Sequence, residues 1–226
     1  MAVIGRILRD RRFHRLALVG CCLAVACGFA AWKAGVDLAM LKAAWKQTEL
    51  YLAERPWLLF AALVVLPGLP VPTSALMFLA GTVWRDRPVV ACALCMVAIA
   101  LNMTWTYWFA ARPGRKLVEK FILSNNLRIP QTPLGGDLNF LLLLRLTPGL
   151  PLFLQNYLLG FFRVPFRLYL PVSLCITGLV ACGVVLSGAG IADGNLKPLL
   201  AGLGLIAAGW ILLRWLRIRK LNPRGD

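Results

Sequence analysis

Residues 66–72 read Leu66-Pro67-Gly68-Leu69-Pro70-Val71-Pro72, in the middle of an apolar stretch, 56–84, that holds no Asp, Glu, Lys or Arg. Prolines at 67, 70 and 72 cannot continue a helix, because each ring lacks the N–H that a helical carbonyl needs. The arm before the break, Trp57 to Leu66, is ten residues. At about 1.5 Å each that is roughly 15 Å of helix, which reaches only the middle of a hydrocarbon core about 30 Å thick. The stretch therefore reads as a re-entrant hairpin and not as a span.

The design recurs. Leu138 to Leu146 is followed by Thr147-Pro148-Gly149-Leu150-Pro151 and then by Leu152 to Phe162, so Pro-Gly-Leu-Pro occurs twice. Pro67, Gly68, Pro70 and Pro72 break the first hairpin; Pro148, Gly149 and Pro151 break the second. Each copy runs on to a glycine behind apolar residues, Gly81 and Gly160, then to a short basic turn and a long uncharged helix. Repeated segments interrupted at corresponding positions point to the midplane of a transporter, where broken backbone survives only inside protein or beside a cavity. The alternative is a pair of Pro-kinked helices that share a tetrapeptide.

The rest of the chain fits a bilayer. Of its 226 residues, 60% are hydrophobic and 15% charged, which excludes a disordered chain, a coiled coil and a secreted disulfide scaffold. Uncharged runs at 16–32, 88–111, 168–192 and 198–213 are of span length or close to it. Arg6, Arg9, Arg11, Arg12 and Arg15 precede the first run, but Cys27, Phe29 and Trp32 make a poor cleavage site, so it reads as a retained anchor. All seven cysteines lie in apolar runs, and the Cys92-Ala93-Leu94-Cys95 spacing reads as packing. The net charge of +16 reports topology and headgroup attraction, with no nucleic acid implied.

If both hairpins return to the side they entered, 17 Lys and Arg lie inside against 7 outside; if each spans, the bias drops to 14 against 10. Re-entry fits the positive-inside rule better. The two halves then insert from opposite faces as an inverted repeat. The expected organisation is a basic cytoplasmic arm at 1–15, a span at 16–33, an amphipathic helix on the interface at 34–55, a core at 56–192, a span at 198–213 and a basic cytoplasmic tail at 214–226. The core divides into a hairpin at 56–84, a helix at 88–111, a loop at 112–137, a hairpin at 138–162 and a helix at 168–192. Leu38, Leu41, Trp45 and Leu52 recur at helical spacing in the interfacial segment. The fold class is all-α and polytopic.

Arg145 is the one charge between Leu138 and Phe162. At that depth an arginine costs at least about 2.5 kcal/mol on insertion scales, so it needs a partner or a water-filled cavity. It serves either a function or the carbonyls freed by Pro148 and Pro151. No acidic residue falls inside an uncharged run, which argues against a buried carboxylate relay. The hairpin tips offer Thr73 and Ser74 in the first copy and Thr147, Gln155 and Asn156 in the second. With half-helix N-termini, these groups suit an oxyanion such as a lipid phosphate. No catalytic triad, metal-ligand spacing or cofactor motif appears, and the lone His14 sits in the basic arm. The reading is of a protein that is not an enzyme and takes no cofactor or metal.

These residues resemble the DedA superfamily of VTT-domain (SNARE-associated Golgi protein) membrane proteins, nearer the eukaryotic Golgi homologues and their bacterial relatives than DedA itself. The matching parts are Leu66 to Pro72 with Leu79-Ala80-Gly81, Tyr107 with Arg112-Pro113-Gly114-Arg115, Leu144 to Pro148 with Pro151, Gln155 to Gly160, and Val164 to Tyr169. The resemblance covers roughly residues 50–195. It implies two re-entrant hairpins and a role in membrane homeostasis, with members implicated in flipping or scrambling phospholipids or the undecaprenyl phosphate carrier. It also implies that Arg112, Arg115 and Arg145 match the family's basic positions. Thr73 and Ser74 stand where the DedA branch has a glutamate, so proton coupling through that residue does not carry over. The expectation is transport of an anionic lipid or polyprenyl phosphate between leaflets of a bacterial inner membrane. Rival readings are a small inorganic oxyanion as cargo, or a non-transporting scaffold whose small-residue face at Gly204 and Ala208 packs on partners or a second copy.

Overall fold

The computed structural model describes residues 37–116, 120, 137–146 and 150–221. The arm 1–15, the span 16–33, most of the loop 112–137, the break residues Thr147, Pro148 and Gly149, and residues 222–226 lie outside the described residues. Among the described residues every regular element is helical. The chain divides into two compact units, residues 1–48 and 49–226. The first unit's described part opens helix α1, Leu38–Ala53, with Leu41 and Trp45 exposed.

In the second unit, α2 (Pro56–Val65) leads into a single 3-10 turn, Leu66–Gly68, and then α3 (Thr73–Val83). The long α4 (Pro88–Ala111) follows, then α5 (Asp137–Leu146), α6 (Leu152–Phe161), the long α7 (Phe166–Asp193) and α8 (Leu196–Leu221). Pro56 and Pro88 open their helices at positions where a missing N–H costs nothing. α4 and α7 are long and apolar enough to cross a membrane; α3 and α6 are apolar but shorter. α8 runs on through residues read as tail, because Lys, Arg, Leu and Ile propagate a helix and no proline intervenes before Pro223.

The first break is where the prolines place it. Beyond the 3-10 turn, Leu69 is extended (φ −109°, ψ 167°) and Pro72 precedes the first residue of α3. Carbonyls that a continuous helix would have satisfied are taken by side chains from neighbouring helices. The Val64 carbonyl accepts from Asn102 Nδ2 at 2.7 Å and from Trp105 Nε1 at 2.9 Å. Tyr157 donates its hydroxyl to the Gly68 carbonyl at 2.8 Å, and Gln155 Nε2 donates to the Leu150 carbonyl at 2.8 Å. Such replacements let irregular backbone persist at membrane depth. The depth follows from α4: Asn102 lies nine residues before Ala111, about 14 Å inside the end of that helix.

The two halves exchange arms. α3 packs on α7, the long helix of the second half, and α6 packs on α4, the long helix of the first. The repeated glycines explain how: a Cβ on Gly81 would strike the Val185 carbonyl, and one on Gly160 the Tyr107 carbonyl. The ends are tied in parallel fashion. Arg85, just after α3, reaches Glu49 at 3.2 Å and Asp193 at 3.4 Å, while Arg115, just after α4, donates to the Phe161 carbonyl at 3.1 Å. The core among these helices holds Leu59, Leu63, Met77, Ile99, Met103, Leu141, Leu159, Tyr169 and Val185. Val89, Val97, Leu101, Leu200, Leu203 and Ile211 stay exposed, the surface a lipid-facing bundle requires. The molecule is an all-α polytopic membrane protein built as an inverted repeat of broken hairpin and long helix.

Candidate functional site

Arg145 occupies the last turn of α5, directly before the second break. Its Nε donates to Ser173 Oγ at 3.0 Å, Nη1 to Gln155 Oε1 at 3.1 Å and Nη2 to Asn156 Oδ1 at 2.7 Å. The guanidinium carbon lies 5.6 Å from the centre of the Tyr169 ring. Gln155 and Asn156 come from the first half of α6; Tyr169 and Ser173, four residues apart, share one face of α7. Arg145 is 7% exposed. Among the described residues it forms no ion pair, so its polar partners are all neutral oxygens.

A buried charge without a counter-charge costs several kcal/mol even after relaxation. Neutral acceptors solvate a guanidinium but leave its field uncancelled, so the pocket attracts an anion. Arginine carries five N–H donors, and the described residues take three of them. The freed Leu150 carbonyl is served by Gln155, which relieves the arginine of that duty. Asn156 Nδ2 also approaches Asn102 Oδ1 at 3.5 Å, and Asn102 in turn holds the Val64 carbonyl. Through these amides the arginine is linked to the tip of the other hairpin.

The aromatic wall behind Arg145 is rigid. Tyr107 and Tyr169 stack at 4.9 Å and 28°; Tyr107 donates to the Val164 carbonyl at 2.7 Å and Tyr169 to the Met103 carbonyl at 3.2 Å. These bonds tie the start of α7 to α4.

The structure thus gathers Arg145, Gln155 and Asn156 and adds Ser173, Tyr169 and Asn102, which sequence reading did not place. Asn102 carried a signal, being the only side-chain amide in its uncharged run. Thr73 and Ser74 open α3 but do not serve as hydrogen-bond partners of Arg145. Thr73 instead lines a groove of about 310 Å³ between the hairpin tips, with Leu69, Pro70, Pro72, Pro151 and Phe153. Arg115 is committed to α6, lying 4.8 Å over the Phe161 ring besides bonding its carbonyl. Arg112 is exposed and stacks on Trp108 at 4.6 Å. Thr147 falls outside the described residues.

Residues 71–190, from the first break to the end of α7, match the family model of the VTT domain. The chain belongs to the VTT-domain family. No curated protein and no solved structure matches it. The VTT domain therefore holds α3 to α7, and with them all of Arg145, Gln155, Asn156, Tyr169 and Ser173.

One backbone feature of this VTT domain stands apart. After α6, Val164 N bonds the Leu159 carbonyl and Arg163 N the Gly160 carbonyl, the paired bonds of a Schellman stop. That stop puts its central residue in the left-handed region, and Arg163 adopts φ 53°. A side chain there costs roughly 1–2 kcal/mol.

Proposed function

We propose that this VTT-domain protein moves an anionic lipid, or a lipid-linked phosphate such as a polyprenyl phosphate, between the leaflets of a bilayer. The observation that carries the reading is Arg145, buried and with only neutral partners among the described residues. A phosphate supplies the missing charge through the two N–H groups that no described residue takes, with Gln155 and Asn156 adjusting around it. The groove between the tips favours a lipid over a small inorganic oxyanion. Apart from Thr73 its walls are prolines, Leu69, Val71, Leu152 and Phe153, which suit a hydrocarbon chain attached to the phosphate better than a bare ion. Neither Pro72 nor Pro151 caps the helix that follows it, so the first-turn amides of α3 and α6 turn two positive helix ends toward this region. Thr73 and Ser74 add hydroxyls at the first tip.

In this reading Arg112 collects the headgroup at the cytoplasmic surface, while Arg115 holds the end of α6 that the headgroup passes. Both termini are cytoplasmic in a bacterial inner membrane, and Thr73 and Ser74 in place of a glutamate put the chain nearer the Golgi-homologue branch. The scaffold alternative gives Arg145 a purely structural task. Purified protein reconstituted in liposomes with fluorescent lipids decides. Exchange of many phospholipids indicates a scramblase, and exchange of polyprenyl phosphate alone a dedicated carrier translocase. A leaflet-exchange rate equal to that of protein-free liposomes removes the transport reading.

A further inference from the structure

We propose that the groove at the C-terminal end of α4 is a docking site for the phosphate of a lipid headgroup, clasped between Arg112 and Arg163. The inference rests on the lipid reading above and gives its surface step at Arg112 a groove and a second arginine. The groove encloses about 300 Å³ and is lined by Tyr107, Trp108, Ala111, Arg112 and Arg163. Its two arginines are exposed, and neither forms an ion pair among the described residues.

Depth places the groove at headgroup level. α4 has 24 residues, roughly 36 Å of helix against a hydrocarbon core of about 30 Å, so its end emerges from the apolar slab. Exposed Trp108 lines the site, giving an acyl chain an aromatic surface beside the charged mouth. The floor is fixed, since Tyr107 holds the Val164 carbonyl. A pair of guanidinium forks in a rigid aromatic frame is phosphate-binding chemistry.

The backbone of Arg163 points to the same groove. α7 ends in the same kind of stop, with Asn195 N bonded to the Gly190 carbonyl, and there the left-handed seat is filled by Gly194 at φ 62°. Glycine takes that seat without strain. A basic residue near the end of α6 is favoured by the helix dipole, but Arg115 already sits on the Phe161 carbonyl. Positive charge on this face is favoured by topology, but Arg167 supplies it from an unstrained position inside α7. Neither need calls for a side chain on the strained residue. What the seat provides is direction: it aims Arg163 into the groove beside Arg112. Retained backbone strain clusters at binding and active sites.

The test is thermal unfolding of the full-length protein in phosphatidylcholine nanodiscs, with and without phosphatidic acid. Wild type gains melting temperature from phosphatidic acid, as binding to the folded state requires. Arg163→Gly relieves the backbone, so its melting temperature in phosphatidylcholine alone is at or above wild type, while its apparent affinity for phosphatidic acid falls about tenfold or more. Arg163→Lys keeps the charge and the strain but loses the fork, and Arg112→Gln removes the other clasp; both reduce the gain. An unchanged gain in Arg163→Gly, or an Arg163→Gly protein destabilised in phosphatidylcholine alone, overturns the proposal. Inorganic phosphate added to phosphatidylcholine nanodiscs separates the sources of the anion, and a gain equal to that from phosphatidic acid overturns the lipid assignment. Leaflet exchange measured on the same preparations keeps the two readings apart. A wild type that binds phosphatidic acid through the groove without exchanging lipid sinks the transport reading alone, and one that exchanges lipid without the Arg163-dependent gain sinks the groove.

Discussion

At the scale of single residues, the question is what balances Arg145. Its polar partners among the described residues are a hydroxyl and two side-chain amides, chosen from groups that accept hydrogen bonds without cancelling charge. A carboxylate would have been the cheaper partner for stability, since attraction to a buried opposite charge repays part of the desolvation. The substitution Asn156→Asp tests that choice by placing a permanent anion at 2.7 Å from Nη2. The expected protein is folded and at least as thermally stable as wild type, with lipid exchange reduced tenfold or more because the guanidinium is neutralised in place. Wild-type exchange by Asn156→Asp means that the charge is not used. Arg145 was legible in the sequence because it is the single charge in a long apolar segment. Ser173 and Tyr169 were not, because a hydroxyl in an apolar helix usually serves its own backbone, and nothing local says which distant helix it faces. Arg115 illustrates a second limit. A basic residue at a membrane edge reads alike whether it meets headgroups or caps a helix, and here it bonds the Phe161 carbonyl.

At the scale of elements, the exchange of hairpin arms depends on close glycine crossings, among them the two repeated ones. Gly81 and Gly160 stand where α3 and α6 cross α7 and α4 with backbone against backbone. Gly81→Ala or Gly160→Ala must push those helices apart, an overpacking cost of roughly 1–3 kcal/mol. Gly204 on α8 has open space at its Cβ position, so Gly204→Ala is expected to be neutral or to stabilise by up to about 1 kcal/mol through helix propensity. Thermal unfolding in detergent compares the three. Equal stability in Gly81→Ala and Gly204→Ala contradicts the close crossing. The repeated glycines were visible in the sequence as a pattern, and the breaks were visible because proline removes a donor wherever it sits. Which arm meets which long helix was not visible: the periodicity of an apolar helix that is buried on one side and lipid-covered on the other carries no contrast between its faces. The left-handed Arg163 was hidden for a related reason, since a stop of that kind is announced in sequence by glycine.

At the scale of the whole molecule, transport through this fold requires hairpins that return to the side they entered and a path for a phosphate between the leaflets. Single cysteines in a cysteine-free background test the first requirement. Those at Lys42, Arg85 and Asn195 are expected to react with an impermeant thiol reagent from outside, and one at Arg163 only after the membrane is opened. Labelling of Arg163 from outside together with protection of Arg85 would replace the re-entrant topology with spanning hairpins. The second requirement is the central one, and leaflet exchange of a fluorescent anionic phospholipid in liposomes measures it directly, with wild type, Arg145→Lys and Arg145→Gln reconstituted at matched abundance and thermal stability. The expected result is exchange by wild type and strong loss in both variants, because lysine keeps the charge without the fork and glutamine keeps hydrogen bonding without the charge. Wild-type exchange by the Arg145→Gln protein would remove Arg145 from the transport path and leave the arginines at the membrane edge as the basic candidates.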